Sequence, residues 1–205
     1  MKPPNFQYKR PFSIDEALAI IDNCKDLDVR IIAGGQSLIP MMNFRVAVPE
    51  VLVDLGAIQG LTTIQKDSDF LCIGAMATAT SVMQSDLILR NAPLIPLAYE
   101  HVAHPTIRNR GTLGGNLCHC DPASEMPMVM SVLQAKLIVA SARGVRCISA
   151  KDFFKDLYTT DLEPDEILTQ IRVPFASHST RFAFEEISLR KGDYAIVGIA
   201  GSIET

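Results

Sequence analysis

The sequence predicts an α+β chain built from two subdomains. Apolar, β-branched runs of strand length recur along it, at 29–34, 51–55, 70–78, 136–141 and 166–174. Between them lie stretches with apolar residues three and four positions apart, the spacing of packed helices. Two glycine pairs, Gly34–Gly35 and Gly114–Gly115, mark backbone that must approach something closely. Of 205 residues, 48% are hydrophobic, enough to bury a core.

Taken in order, Ser13 and Glu16 stand at capping-box spacing, and Ile14, Ala17, Leu18 and Ile21 behind them form one face of a first helix. The run VRIIAG (29–34) reads as a buried strand stopping in a tight loop, and VLVDL (51–55) as the next strand. These close a first subdomain over 1–55. FLCIGAMAT (70–78) opens a second subdomain, expected over 56–177, and TSVMQSDLILR and PLIPLAYEHVA follow as helices. From His104 to Ser124 periodicity disappears, which predicts a long functional loop. EMPMVMSVLQA reads as a helix, KLIVAS and VRCISA as strands, and FFKDLYTT as a short helix opened by Ser149. EILTQIRVP and RFAFEEISLR are the last predicted strands before RKGDYAIVGIAGSIE.

Composition narrows the function. Nineteen basic and 23 acidic residues leave a net charge of −4 with no clustered Lys/Arg stripe, which argues against nucleic acid or an anionic membrane surface as partner. No apolar run approaches the roughly 20 residues that span a bilayer. The opening MKPPNFQYKR has no signal-peptide pattern, so a cytoplasmic location is expected. Cys24, Cys72, Cys118, Cys120 and Cys147 lack disulfide-framework spacing and are expected as free thiols. Cys118-His119-Cys120 has no second cysteine pair to complete a metal site, so no metal is assigned. His101, His104, His119 and His178 form no arguable triad, and no catalytic residue is assigned.

The chemistry points to the glycine segments. In Ala33-Gly34-Gly35-Gln36-Ser37-Leu38 a strand runs into glycines whose N–H groups can approach a phosphate, with the Gln36 amide and Ser37 hydroxyl as added hydrogen-bonding groups. Thr112-Leu113-Gly114-Gly115-Asn116-Leu117 offers a second such segment. Two anion loops from different subdomains suit the pyrophosphate of a dinucleotide; the alternative is a pair of structural turns. The G-x-G-x-x-G and P-loop fingerprints are both missing, which excludes the usual Rossmann and Walker sites.

Three blocks, AGGQSLIPMMNFR (33–45), TIRNRGTLGGNLCHCDPASE (106–125) and LRKGDYAIVGIA (189–200), stand in the order and spacing of one family. Through them the whole chain resembles the FAD-binding medium subunit of the molybdenum hydroxylases, which include carbon monoxide dehydrogenase and, as a fused domain, xanthine dehydrogenase. The resemblance implies a two-subdomain FAD-binding fold of the p-cresol methylhydroxylase and vanillyl-alcohol oxidase type. It implies that Ile32, Ala33, Gly34, Gly35, Gln36, Ser37 and Leu38 cradle the FAD pyrophosphate, with Thr112, Gly114, Gly115 and Asn116 closing from the other side. Glu125 matches an acidic position that hydrogen-bonds the cofactor, Leu168 an apolar position near it, and Tyr194 an aromatic beside the isoalloxazine.

The implied activity is that of an oxidoreductase subunit in a heterotrimer, with no substrate turnover by this chain alone. A large subunit carries the molybdenum cofactor, a small one two [2Fe-2S] clusters, and FAD here passes electrons to NAD, a quinone or oxygen. Some relatives carry an inserted loop with another iron–sulfur cluster, and no such cysteine-bearing insertion occurs here. Family members continue past the RKGDYA block into a full C-terminal domain, so 178–205 is expected to be the start of a truncated one. That departure leaves a second reading, an FAD-poor remnant or assembly protein of the same fold.

Overall fold

A computed structural model describes residues 2–205. The first sheet is parallel, with strands β1 (Gln7–Lys9), β2 (Val29–Ile32) and β3 (Val51–Asp54) in the order β1-β3-β2. Helix α1 (Ile14–Asn23) connects the first two strands and α2 (Leu38–Asn43) the last two. Ser13 Oγ accepts the Glu16 N–H at 3.1 Å. Glu16 in turn accepts from the N–H of Phe12, one residue further back than a standard capping box. The α1 face that Ala17, Leu18 and Ile21 bury packs with Val51 and Val53 of the central strand.

The second sheet is antiparallel and five-stranded, in the order β4-β5-β10-β6-β7. Its chain begins with β4 (Ile64–Asp67) and β5 (Phe70–Gly74) and continues through α3 (Ala79–Met83), α4 (Asp86–Asn91) and α5 (Leu94–Tyr99). Next come α6 (Pro105–Arg108), α7 (Leu113–His119) and α8 (Glu125–Val132), then β6 (Lys136–Ser141) and β7 (Gly144–Ser149). Helix α9 (Ala150–Phe153), the small hairpin β8 (Phe154–Asp156) and β9 (Thr159–Thr160), and the central strand β10 (Ile167–Pro174) complete it. Leu71, Ile73, Leu137, Val139, Ile171 and Val173 project from the sheet into the main core, where they meet Ile95, Leu113, Leu117, Met126 and Phe153. A second core cluster joins Ala140 and Ile167 of this sheet, with Met76 just after β5, to α1 and β3, tying the two sheets together.

The chain closes with a hairpin of β11 (Thr180–Ser188) and β12 (Ala195–Glu204). It lies over α5 and α8, with Phe184 buried and its ring 5.2 Å from that of His101. The five cysteines are unpaired, and no helix among the described residues is long and apolar enough to cross a membrane.

Two expectations fail. The segment 104–124 is not an open loop, because Pro105 starts α6, and Thr112 caps α7 by accepting the Gly115 N–H at 3.1 Å. Helices of four and seven residues are too short to print a 3.6-residue period. FFKDLYTT is helical only to Phe153 and then turns into the β8–β9 hairpin, with Tyr158 at φ 54° in the turn.

The central strand should carry the most stability. Ile171→Ala, at a fully buried position of β10, is expected to cost about 2–5 kcal/mol in urea unfolding. Val145→Ala, on the exposed edge strand β7, should stay within about 0.5 kcal/mol of the parent.

Candidate functional site

Between the two sheets runs a cleft of about 1370 Å³. The turn 33–37 after β2 forms part of one wall. The N–H groups of Gly34, Gly35, Gln36, Ser37 and Leu38 find no acceptor among the described residues, so successive main-chain donors stand uncommitted beside the cleft. Gly35 holds the turn open at φ +72°, a conformation that a side chain strains. Gln36 Nε2 donates to the Gly34 carbonyl at 2.9 Å and braces the turn, and the Ser37 side chain makes no capping bond. A row of unpaired amides carries partial positive charge and suits an anion without any lysine.

The second glycine segment does a different job. Leu113 N–H donates to the Ala77 carbonyl and Gly114 N–H to that of Ala75, both at 2.9 Å; Gly115 and Asn116 N–H groups bond to Thr112. Its amides are therefore taken, and its glycines serve close packing instead. A Cβ on Gly114 would lie 2.6 Å from the Cβ and carbonyl oxygen of Ala75, and one on Gly115 3.3 Å from the Ala33 Cβ. Across the cleft, a Cβ on Gly34 would stand 2.2 Å from the Arg110 carbonyl oxygen. The two glycine segments thus touch through backbone. Asn116 accepts a hydrogen bond from Ser124 Oγ at 2.8 Å, which leaves its Nδ2 hydrogens uncommitted on the cleft side.

Every residue that the sequence singles out lines this cleft except Ile32, which supports the turn from beneath with its Cδ1 3.4 Å from the Cβ position of Gly35. Glu125 enters at the first position of α8 and is 8% exposed. Burial, and next to it the Glu186 and Asp121 carboxylates, push its carboxyl up to about 7, against the pull of its own backbone N–H. Leu168 sits in the wall at an irregularity in the β10–β6 register. Tyr194, 73% exposed, stands at the rim on the β11–β12 connection. Gly192 holds that connection against Ala103, where a Cβ would meet the carbonyl oxygen at 2.9 Å.

Sequence reasoning missed several lining residues, among them Tyr99, Arg108 and Asp121. Arg108 Nη1 donates to the carbonyls of Val102 and Ala103 and shapes the turn beneath the cleft. The segment 161–166 is pinned by Arg146, whose Nε and Nη2 grip Glu166 at 2.7 Å each. That pairing outweighs burial and holds the Glu166 carboxyl below its ordinary range. Burial, with Cys120 beside it, pushes the Cys118 thiol up to about 12 and keeps it neutral. Neither arginine carries a motif signal, because the partners of Arg108 and Arg146 lie 5 to 20 residues away in sequence.

The backbone contact at Gly34 makes a sharp test. Gly34→Ala is expected to destabilise the chain by about 1–3 kcal/mol and to speed hydrogen exchange at 111–115, since neither backbone can yield cheaply. Gly201→Ala, with nothing within 4 Å of its Cβ position, should change neither.

Comparison with known proteins identifies the family. Residues 4–176 match the family described as the FAD binding domain in molybdopterin dehydrogenase. The chain is 43% identical over 201 residues to caffeine dehydrogenase subunit beta of Pseudomonas sp. (strain CBB1), covering 98% of this chain and 68% of that protein. It is 40% identical over 205 residues to the nicotine 6-hydroxylase medium subunit of Paenarthrobacter nicotinovorans, covering 100% of this chain and 71% of that one. The structure superposes on a chain of carbon monoxide dehydrogenase from Hydrogenophaga pseudoflava with a TM-score of 0.95 at 36% identity, over 98% of this chain and 69% of the other. An FAD pyrophosphate is the kind of anion that the open amide row after β2 fits, and with sequence, fold and cleft in agreement the chain belongs to the FAD-binding medium subunits of the molybdenum hydroxylases.

Proposed function

We propose that the cleft holds FAD in an extended pose, with its pyrophosphate on the turn 33–38, and that the chain relays electrons inside a molybdenum hydroxylase complex. The observation that carries this reading is the run of unpaired N–H groups from Gly34 to Leu38, beside a cleft of about 1370 Å³. Thr112, Gly114, Gly115 and Asn116 form the opposite wall, where the free Nδ2 of Asn116 donates to the cofactor. Leu168 packs on it from β10, Glu125 meets its polar chain, and Tyr194 stands beside the isoalloxazine.

FAD supplies the exchange between single electrons and electron pairs, and the chain supplies placement. Gly34 sets the gap between the walls, Gln36 holds the turn in its anion-binding shape, and the Arg146–Glu166 pair fixes the segment 161–166. In the complex a small partner subunit would carry the [2Fe-2S] clusters and a large one the molybdenum cofactor, and NAD, a quinone or oxygen would be the external acceptor. The relatives' names support a dehydrogenase complex of this kind. The complex works in the cytoplasm, where the five thiols stay reduced. The three units of the chain, 1–55, 56–177 and 178–205, divide this work as first wall, second wall and rim.

The purified chain should show flavin absorbance, and acid release should yield one FAD per chain. Gly35→Val strains the turn at φ +72°, and Gly115→Val drives a branched side chain into Thr112 Oγ1, 2.8 Å from the Cβ position. Each is expected to abolish FAD binding by isothermal titration, and unchanged flavin content in both would overturn the proposed pose. A chain that stays colourless after incubation with excess FAD would favour the FAD-poor reading.

A further inference from the structure

One cluster beside the cleft is unexplained by placement of FAD alone. The inner face of β11 carries Phe182, Phe184, Glu186 and Ser188, so a carboxylate occupies a core-facing position next to two phenylalanines. Both Glu186 carboxyl oxygens are buried, and neither has a hydrogen-bond partner among the described residues. Glu125, at the start of α8, brings its own carboxyl within hydrogen-bonding reach. No Lys or Arg forms an ion pair with either group among the described residues. The other titratable groups near the pair are Asp121 from the segment after α7, Tyr99 from α5, Tyr194 from the hairpin connection, and His101, whose ring lies on Phe184.

Two buried acceptors without donors are costly, and two buried anions facing each other more so. A single proton resolves both problems, because it turns one carboxyl into the donor that the other lacks. We infer that Glu186 is a positioning residue of the flavin site: it accepts a hydrogen bond from the protonated Glu125 carboxyl and so latches the β11–β12 hairpin, with Tyr194, over the cleft. The proton resides on Glu125, the member that lines the cleft. Phe184, packed on His101, supplies the apolar part of the same docking surface, and Gly198 of β12 lies over Met128 of α8, with a Cβ position 3.5 Å from its Cε.

A carboxyl held at about 7 in the folded chain, against 4.5 ordinarily, keeps its proton while the unfolded one ionises. The stability that this proton contributes is complete below 4.5, declines as pH rises from there, and is gone above 7, where the folded chain itself loses the proton and the latch opens.

The inference uses the FAD reading only for the role of Tyr194, and the test separates the two. Infrared spectra of the chain without flavin, in D₂O from pH 5 to 9, should show the carbonyl stretch of a buried protonated acid disappearing near pH 7. Glu125→Gln should remove that band. Glu186→Gln should move its loss to lower pH, because the new amide donates to an ionised Glu125. With flavin added, FAD binding by the parent chain should weaken above pH 7, by up to about tenfold per pH unit for one linked proton. Both Gln variants, which restore a donor without a proton, should bind FAD with nearly pH-independent affinity. No protonated acid at pH 5–6, or the same midpoint in Glu186→Gln as in the parent, would overturn the latch. A normal infrared titration in a chain that never binds FAD would keep the latch and reject the flavin reading.

Discussion

Gly34 lies against the Arg110 carbonyl with no room for a methyl group, and this contact of main chain with main chain sets the width of the whole cleft. Because no side chain intervenes, the turn after β2 and the start of α7 are held at a separation that no rotamer change can relax. The open amides of Gly34 to Leu38 then face a wall fixed by Thr112 and Asn116, and the same contact places Gly115 beside Ala33. The two sheets therefore meet at the site itself. Cores that bury Met76, Ala140 and Ile167 with α1 and β3 reinforce the junction from behind.

Electrostatically, the site works by dipoles in its middle and by carboxyl groups near one end. The turn supplies several oriented N–H groups and no cation, which agrees with a chain whose net charge is −4 yet which belongs to a family that binds an anionic cofactor. Glu125 lies on the side of Tyr194, where its burial makes a neutral carboxyl cheaper than an ionised one. The Arg146–Glu166 pair is the counter-case: there a bidentate guanidinium keeps a buried carboxylate ionised and anchors a cleft wall.

Much of the local structure was legible. The Ser13–Glu16 cap, the buried β3 and the core-facing residues of α1 follow from short-range rules, and the structure realises them with only the shift of the Glu16 bond to Phe12. The segment 104–124 was misread because its two helices are too short to be periodic; they persist through the Thr112 cap and the tertiary seat of Gly114 on Ala75. Strand β1, three exposed residues, has no pattern of its own and exists because β3 offers an unpaired edge.

The sequence by itself determined which residues could make an anion site: glycines that free the backbone, a hydroxyl, amides, and the blocks by which the family is recognised. It could not assign separate tasks to the two glycine segments. Only the tertiary structure decided that the first keeps its amides free while the second spends them on Ala75, Ala77 and Thr112, because that depends on which acceptors lie nearby in space. The same holds for Glu186, an ordinary acidic residue in sequence whose burial against Glu125 arises when a hairpin closes over α8. Hydrogen-bond satisfaction and desolvation are properties of three-dimensional neighbours, and no local pattern encodes them.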